Sequence, residues 1–247
     1  MKKPTLVFLH GFLESAKMWE EFTVSFQGGY NLVCLDLPGH ASAPVINKNH
    51  TMSLMADFVR ERLVELKITE AIFIGHSMGG YVALEIGKKY PDLVKGISMF
   101  FSTAADDLPQ KKIDRDRAAR VVEKNHQIFI KEAIPFLFTE ENKIRLSEKI
   151  KIQTQLALKT PINGIIACLA GMRDRQSNVD YLNEAPFPIQ YIVGKKDPVI
   201  FIDSLSIQIE AKSVVDVEII ENCGHMGHIE EPEKCKKALS RFFKKVG

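Results

Sequence analysis

Short, almost uninterrupted runs of apolar residues recur along the chain and end in turn-forming residues. Five of these runs are nearly continuous and a sixth alternates with polar positions; they cover residues 5–9, 32–37, 71–74, 96–100, 189–193 and, alternating, 214–220. A continuous apolar run of this length is typical of a strand that is buried on both faces. Such strands occur in parallel sheets covered by helices. The pattern therefore predicts a six-stranded, mostly parallel sheet.

The segments between these runs have apolar residues three and four positions apart, the period of an amphipathic helix. One such face follows Thr51 and Ser53, either of which can cap the helix, and consists of Leu54, Met55, Phe58, Val59, Leu63 and Leu66. Another follows Pro232, a residue suited to a helix start, and consists of Cys235, Ala238, Leu239, Phe242 and Phe243. Strands and helices alternate, so we expect a doubly wound α/β fold.

The alternation stops between Phe101 and Pro188, where no convincing strand occurs. Helical patterns fill this stretch, over residues 110–125, 128–138, 141–158 and from Pro161 to about residue 172. We interpret the chain as a single domain, residues 1–247, with a core of residues 1–104 and 186–247 and an inserted helical cap at about residues 105–185. This helical insertion should lie over the carboxyl edge of the sheet, where open α/β folds bind ligands.

Composition narrows the function classes. The 247 residues are 45% hydrophobic and 26% charged, as in soluble globular proteins. The formal charge of +2 is far from the basic surface that nucleic acid requires, so no nucleic-acid partner is expected. Apolar runs stay well short of the ~20 residues of a membrane span, and no cleavage-site pattern follows the first residues. We expect no membrane partner and a cytoplasmic location.

The segment Gly75-His76-Ser77-Met78-Gly79 matches the pattern Gly-x-Ser-x-Gly and lies between a predicted strand and a predicted helix. In that context the serine occupies a tight, strained turn, and the two glycines avoid collisions. The turn exposes the Ser77 hydroxyl at a helix N-terminus, where developing negative charge is stabilised. A Gly-rich turn of this kind can also serve packing or phosphate binding alone. Ser77 is the candidate nucleophile.

A serine nucleophile requires a base and an orienting acid. His225 follows the sixth strand and Asp197 follows the fifth, so both lie at carboxyl ends of strands, as Ser77 does. The alternatives are His228 as the base and Asp106 or Asp107, which we expect to be solvated, as the acid.

Two further segments are candidates for a role in catalysis. His10-Gly11-Phe12 follows the first strand, where the Phe12 amide can join the Met78 amide in holding an oxyanion. Cys223, two residues before His225, has no base at a defined spacing and is a weak candidate nucleophile; we expect the four cysteines to be free thiols.

Taken together, the motifs resemble those of the α/β-hydrolase superfamily over nearly the whole chain. The matching segments are His10-Gly11-Phe12, Asp36-Leu37-Pro38-Gly39-His40, Gly75 to Gly80, Gly194 to Pro198, and Gly224-His225 with Glu230 and Pro232. The resemblance implies that Ser77 is the nucleophile, His225 the general base and Asp197 its orienting acid, with the Phe12 and Met78 amides as the oxyanion hole.

The chain departs from the family at two points. An antiparallel hairpin often precedes the first strand in relatives and is lacking here, so we expect a core of six strands. Ala41 occupies a position that is often glycine in relatives, and we expect it to reshape one wall of the pocket.

The resemblance implies a serine hydrolase that cleaves carboxylic esters of small to medium acyl groups through an acyl-enzyme. Relatives that form an alkyl ester use aspartate in place of Ser77. The menaquinone-pathway lyase usually has Tyr and Arg where this chain has His76 and Tyr81. That lyase, a lactonase, a thioesterase and a non-catalytic binding scaffold remain alternatives. For the lyase, Arg173 and Arg175 would have to face Ser77.

Aromatic and sulfur-containing residues of the helical insertion are candidates for an acyl pocket. They are Phe129, Phe136, Phe138 and Met172. An apolar helix face is equally typical of a packed core, so periodicity does not predict whether these side chains point into a pocket or into the core. We expect neither an organic cofactor nor a metal, because the mechanism requires none and no zinc-like cluster of His and Cys is visible. The expected partner is a small ester, and the oligomeric state stays open.

Overall fold

Six strands form one sheet in the computed structural model, which describes residues 3–247. In chain order they are β1 (Thr5–Leu9), β2 (Asn31–Leu35), β3 (Ala71–His76), β4 (Val94–Phe100), β5 (Ile189–Gly194) and β6 (Val214–Ile220). Their order across the sheet is β2-β1-β3-β4-β5-β6, and every pairing is parallel. The predicted six-stranded α/β fold is confirmed, and the sheet of the described residues is parallel throughout.

The central strands are continuous apolar runs because helices cover both of their faces. Every residue of β1, β3 and β5 is buried, whereas the edge strands β2 and β6 are mostly half-buried or exposed. Buried apolar side chains form two clusters, one on each face of the sheet. The fully buried Trp19 and Phe242 belong to one cluster, and Met55 and Ile97 belong to the other.

Ten α-helices surround the sheet in the described residues: α1 (Glu20–Thr23), α2 (Met52–Glu65), α3 (Met78–Lys89), α4 (Pro109–Phe136), α5 (Glu140–Arg145), α6 (Ser147–Ala157), α7 (Ile162–Asp174), α8 (Ser206–Ile209), α9 (Gly227–Glu230) and α10 (Pro232–Val246). Thr51 caps α2, because its hydroxyl accepts from the Leu54 amide at 3.2 Å. The predicted start of α10 at Pro232 is confirmed.

The stretch from β4 to β5 contains α4 to α7 and no strand in the described residues. The two patterns over residues 110–125 and 128–138 form two helical segments, which together make up α4 and are separated by a break at Asn125 (φ −159°, ψ 85°). The Asn125 Oδ1 atom accepts from the Ile128 amide at 3.1 Å and so caps the second half. The prediction of one helix over residues 141–158 is wrong, because two helices cover this stretch: α5 ends at Arg145, and α6 begins at Ser147.

A buried arginine joins the two ends of the helical insertion. Arg175 Nη1 lies 2.8 Å from Asp107 Oδ1, and the guanidinium also donates to the carbonyls of Ala105 and Met172. Asp107 pairs in addition with Arg115 at 2.9 Å and is only 6% exposed, so the expectation that it is solvated is wrong. Burial alone would raise the pKa of Asp107, but the two arginines lower it below its ordinary value.

The strand order places the ends of β1 and β3 next to each other. From β1 the chain continues to β2 on one side of the sheet, and from β3 it continues to β4 on the other side. Leu9 pairs with Gly75 in register, so the loops that follow begin side by side. Such a switch point is where open α/β sheets bind their ligands. Within residues 3–247, none of the helices has the length and apolar character to cross a bilayer.

Candidate active site

Ser77 occupies a strained turn between β3 and α3. Its backbone has φ +48° and ψ −113°, a conformation that typically costs about 1–3 kcal/mol for a residue with a side chain. Two contacts hold it there: the Ser77 amide donates to Phe100 O at 3.1 Å, and the Ser102 hydroxyl donates to Ser77 O at 2.7 Å. The strain thus presents the Ser77 side chain at the N-terminus of α3, as the sequence pattern predicts.

The glycines on either side of Ser77 are required by close backbone contacts. A Cβ atom on Gly79 would lie 2.5 Å from Leu9 O and 2.7 Å from His10 O, and one on Gly75 would collide with the backbone of Gly79. Because these neighbours are backbone atoms, no side-chain movement can relieve the clash. The spacing Gly-x-Ser-x-Gly therefore follows from how closely α3 approaches the strands.

Asp197 and His225 meet above the ends of β5 and β6. His225 Nδ1 lies 2.7 Å from Asp197 Oδ2, and the two side chains are 3% and 2% exposed. The other carboxylate oxygen accepts from the amides of Val199 and Ile200 at 2.7 and 2.9 Å. These three donors fix the Asp197 carboxylate, and they leave His225 with a single Nδ1–H tautomer whose Nε2 atom is free to accept a proton.

Ser77 and His225 line the same cavity. No hydrogen bond joins the Ser77 hydroxyl to His225 in the described structure; in unliganded enzymes such contacts often close only when substrate binds. The structure therefore brings the three predicted triad residues to one site, and one of the two expected hydrogen bonds is formed.

The peptide between Gly11 and Phe12 is held by hydrogen bonds to its carbonyl oxygen. His10 Nε2 accepts from the Leu37 amide at 2.9 Å, so its Nδ1 carries the proton and donates to Gly11 O at 2.7 Å. A trans peptide directs its N–H opposite to its carbonyl, so the Phe12 N–H is fixed as well. Neither this amide nor that of Met78 donates to another group in residues 3–247, which leaves both available to an oxyanion.

The cavity has a volume of about 220 Å³ and is mainly apolar. Phe12 and three of the four predicted pocket residues, Phe129, Phe136 and Met172, line it together with Leu169 and Val199. Phe138 does not: it is 2% exposed, packs in the core and borders a separate depression.

Lys111, Asp114 and Arg115, from the first turns of α4, add charged groups to the lining of the cavity. Partial desolvation lowers the pKa of Lys111, although the residue as a whole is exposed.

The other candidates of the sequence lie outside the cavity lining. Arg173 pairs with Asp116 and Asp174 on the surface, and Arg175 is engaged at the base of the helical insertion.

His228 is buried, and burial lowers its pKa to about 3. Cys223 is fully buried, which raises the pKa of its thiol well above the ordinary value and disfavours the reactive thiolate. Ala41, with φ +44°, borders a different depression, so it does not reshape this cavity.

Sequence reasoning missed the role of Glu230, which supports the loop that carries His225. Glu230 is 2% exposed, and its Oε1 atom accepts from the amides of Gly224 and Met226 at 3.0 and 3.1 Å, one on each side of His225. Its Oε2 atom accepts from Thr139 N and Asn142 Nδ2 in the helical insertion. The spacing of Glu230 from His225 was visible in the sequence, but its partners were not.

Glu14 and His76 form a second buried pair that sequence reasoning missed. His76 Nδ1 lies 2.6 Å from Glu14 Oε2, and each side chain is 2% exposed. With His228 they form a group of potential metal ligands whose nearest atoms lie within 4.8 Å of one another. The prediction that the protein uses no metal stays a prediction.

Comparisons with known proteins agree with this fold. Residues 4–232 match the family described as alpha/beta hydrolase fold. The chain is 26% identical to monoacylglycerol lipase ABHD6 of Mus musculus, over 99% of this chain and 76% of that protein. It is 25% identical to a putative 2-succinyl-6-hydroxy-2,4-cyclohexadiene-1-carboxylate synthase of Bacillus subtilis, over 98% and 90% of the two chains.

A solved structure of a thermophilic esterase from Thermogutta terrifontis superposes with a TM-score of 0.93 at 27% identity, covering 99% of this chain and 91% of that one. An enol-lactonase from Burkholderia xenovorans, at 17% identity and a TM-score of 0.89, shares the fold, covering 99% and 92% of the two chains. The match over residues 4–232 and the arrangement of Ser77, Asp197 and His225 lead to one conclusion: the chain belongs to the α/β-hydrolase family.

Proposed function

We propose that the protein hydrolyses carboxylic esters of small to medium acyl groups through an acyl-enzyme on Ser77. The observation that carries the proposal is the convergence of three features beside one cavity: the strained Ser77 turn, the buried Asp197–His225 pair, and two amides that have no partner in residues 3–247. Relatives named as an esterase and as a monoacylglycerol lipase, both above 25% identity, support a reaction on esters.

In the proposed acylation, the Ser77 hydroxyl attacks the ester carbonyl while His225 Nε2 takes its proton. The Phe12 and Met78 amides stabilise the oxyanion of the tetrahedral intermediate, and each such donor is typically worth about 3–4 kcal/mol. When the intermediate collapses, the bond to the alcohol breaks and His225 returns its proton to the leaving oxygen. Asp197 keeps the imidazole in the required tautomer and stabilises its positive charge throughout.

In the proposed deacylation, His225 removes a proton from water, which attacks the acyl carbonyl of the Ser77 ester. Collapse releases the carboxylic acid, and the proton on His225 returns to Ser77. The protein's own residues supply every proton transfer in this cycle. The remaining reactant is water.

The size and polarity of the cavity support the substrate class. About 220 Å³ is below the range of roughly 300–1,000 Å³ that is typical of sites for drug-sized ligands, which favours short acyl groups. Its apolar wall suits a hydrocarbon chain. The two arginines considered for an anionic substrate, Arg173 and Arg175, do not line the cavity, but Lys111 and Arg115 do, so the lyase stays an alternative.

The test is release of p-nitrophenol from esters of increasing acyl length by the wild type, Ser77→Ala and Ser206→Ala. Ser206 is exposed and does not line the cavity, so its variant is the matched control. We expect Ser77→Ala to lose at least ~10³-fold in kcat with an unchanged melting temperature, because residues of a triad act as a unit.

Turnover by Ser77→Ala within tenfold of the wild type would contradict the proposed mechanism. A parallel series of γ- and δ-lactones and acyl thioesters distinguishes the lactonase and thioesterase alternatives. Activity on one of those series alone would replace the ester in the proposal while leaving the role of Ser77 intact.

A further inference from the structure

The buried pair of Glu14 and His76 lies between the two loops on which the proposed catalysis depends. Glu14 Oε2 accepts from the Gly11 amide at 2.7 Å, one residue before the proposed oxyanion donor Phe12. On the other side, His76 Nε2 lies 3.0 Å from the carbonyl oxygen of His225. A continuous chain of hydrogen bonds therefore runs from the loop after β1 to the loop after β6.

The neighbours of His76 determine its protonation. The His225 carbonyl only accepts, so His76 Nε2 must carry a proton. Glu14 Oε2 already accepts the Gly11 N–H, and when Glu14 is ionised it has no proton to donate, so His76 Nδ1 then carries the second proton. With an ionised Glu14, this arrangement is an imidazolium next to a carboxylate.

The electrostatic environment of the pair also favours the charged forms of Glu14 and His76. Burial alone would lower the pKa of His76, but Glu14 outweighs burial and raises it above its ordinary value. Burial alone would raise the pKa of Glu14, but His76 outweighs it and lowers that pKa to about 2. The other titratable groups around His76 are His10, Asp197, His225 and His228, from the loops after β1, β5 and β6.

We propose that Glu14 and His76 are positioning residues: as a buried ion pair they hold the oxyanion loop and the His225 loop in register across Ser77. This inference rests on the proposed function. It assigns a role to the histidine before the nucleophile and to the glutamate two residues after Phe12. Neither group touches the reacting atoms, and both act through the backbone of their neighbours.

The sign of the pH dependence follows from these shifts. Since the pKa of His76 is raised, its charged form and its two simultaneous N–H donors are present below the ordinary value of 6.5, and one of the two donors is lost as pH rises through the raised pKa. Since the pKa of Glu14 is lowered, its contribution is present above 4.5 and is lost as pH falls towards about 2. The pair is therefore complete in mildly acidic solution and weakens on the alkaline side.

The variant Glu14→Gln removes the charge at nearly constant shape. We expect kcat to fall roughly 10- to 100-fold with KM within about twofold, because small displacements of catalytic groups have effects of this size. We also expect the alkaline limb of kcat to move to lower pH, because the Glu14 carboxylate, the strongest of the groups that raise the pKa of His76, is then absent. Glu14→Asp, which keeps the charge, should recover part of both effects.

Asp216→Asn is the matched control. Asp216 has a side chain that is 9% exposed, pairs with Arg241 and accepts from Gln190, but it lies on β6 outside the cavity lining. Its loss should lower the melting temperature without moving the pH limb. If Glu14→Gln does not fold, His76→Gln is the second variant, with the same expected fall in kcat. An equal fall in kcat in Asp216→Asn would show general destabilisation and overturn the proposal.

A measurement independent of turnover separates this inference from the proposed function. Histidine ¹⁵N NMR at pH 6 should show both nitrogens of His76 protonated in the wild type and Asp216→Asn, and only one in Glu14→Gln. A neutral His76 in the wild type, or an unchanged kcat and pH profile in Glu14→Gln, overturns the inference. Full activity of Ser77→Ala contradicts the proposed function instead.

The competing occupant of this site is a metal ion held by Glu14, His76 and His228. Both nitrogens of His228 and one oxygen of Glu14 are buried without a partner among the described residues. A metal would displace the proton from His76 Nδ1, so the NMR experiment distinguishes the two cases. Dialysis against EDTA should leave kcat and the His76 signals unchanged, and a loss of either on chelation overturns the ion pair.

Discussion

The carboxyl edge of the sheet and the helical insertion face each other across the cavity, and they are built in opposite ways. At the sheet edge, Asp197 and His225 are nearly inaccessible, and main-chain contacts hold Ser77 in a strained turn. On the insertion, Phe136 is 55% exposed and Phe129 is only half-buried.

This difference separates two tasks. Hydrogen bonds and close glycine contacts allow few alternatives at the sheet edge, so a change there should alter the rate of the chemistry. The insertion presents apolar side chains that can be enlarged or reduced, so a change there should alter which substrate fits. Substitutions on the two sides can therefore test the comparison.

The largest effect in this comparison is expected for Asp197→Asn. The amide keeps the shape of the carboxylate but favours the wrong tautomer of His225 and no longer stabilises its charge. We expect kcat to fall by roughly 10³- to 10⁴-fold with a small change in melting temperature. Initial rates on the best p-nitrophenyl ester measure this.

The control for that variant is Asp106→Asn at the start of the insertion. Asp106 is partly exposed, pairs with Lys112 and lies outside the cavity lining, so kcat should stay within twofold. If Asp106→Asn instead lost most of the activity and Asp197→Asn did not, the acid would belong to the insertion and the division of tasks would be wrong.

A smaller effect is expected for Phe129→Ala on the insertion. Phe129 lines the cavity, and its ring centroid lies 6.4 Å from that of Phe12, so its removal enlarges the cavity. We expect the ratio of kcat/KM for a long acyl ester to that for a short one to rise by about tenfold, since each methylene in an apolar site is worth ~1–3 kcal/mol.

Ile128→Ala provides the matched control on the same turn of α4. The Ile128 side chain is 51% exposed and does not line the cavity, so the ratio should stay at the wild-type value. Equal shifts in both variants would mean that the helix as a whole, and not the Phe129 ring, limits the acyl length.

The smallest effect is expected for Asn125→Ala at the bend of α4. Loss of the contact to the Ile128 amide should lower the free energy of unfolding by about 1 kcal/mol, with kcat within twofold. Urea denaturation measures this, with the neighbouring exposed Lys124→Ala as the reference. A change of chain-length preference without a loss of stability would show that the bend shapes the cavity.

The strands and the triad positions could be predicted because their causes are local. A strand buried on both faces leaves a continuous apolar run, and both β1 and β6 begin and end at the predicted residues. Ser77, Asp197 and His225 follow strand ends, and the Gly75 and Gly79 contacts impose a spacing that is visible in the sequence. The catalytic roles of these residues remain predictions for the assays above.

The supporting contacts could not be predicted because they depend on the strand order. Glu14 meets His76 only because β1 lies beside β3, and Asp107 finds Arg175 only once the insertion has closed on itself. The hydrophobic periodicity made both Phe129 and Phe138 candidates for the pocket, although only Phe129 lines the cavity. The elements packed against a helix decide which of its faces meets the site. The sequence of the helix alone does not say which elements these are.

The buried Arg175 gives the insertion the character of an exchangeable module. Its bonds to Asp107, Ala105 and Met172 tie the entry of the segment to its exit, and its guanidinium lies 4.2 Å from the ring centre of Tyr81 on α3. The core meets the segment here and, separately, through Glu230, which accepts from Thr139 and Asn142. A chimaera that grafts another relative's segment between residues 104 and 176 should fold when it keeps this aspartate and arginine together with the two donors to Glu230, so substrate range can diversify while the sheet edge stays unchanged.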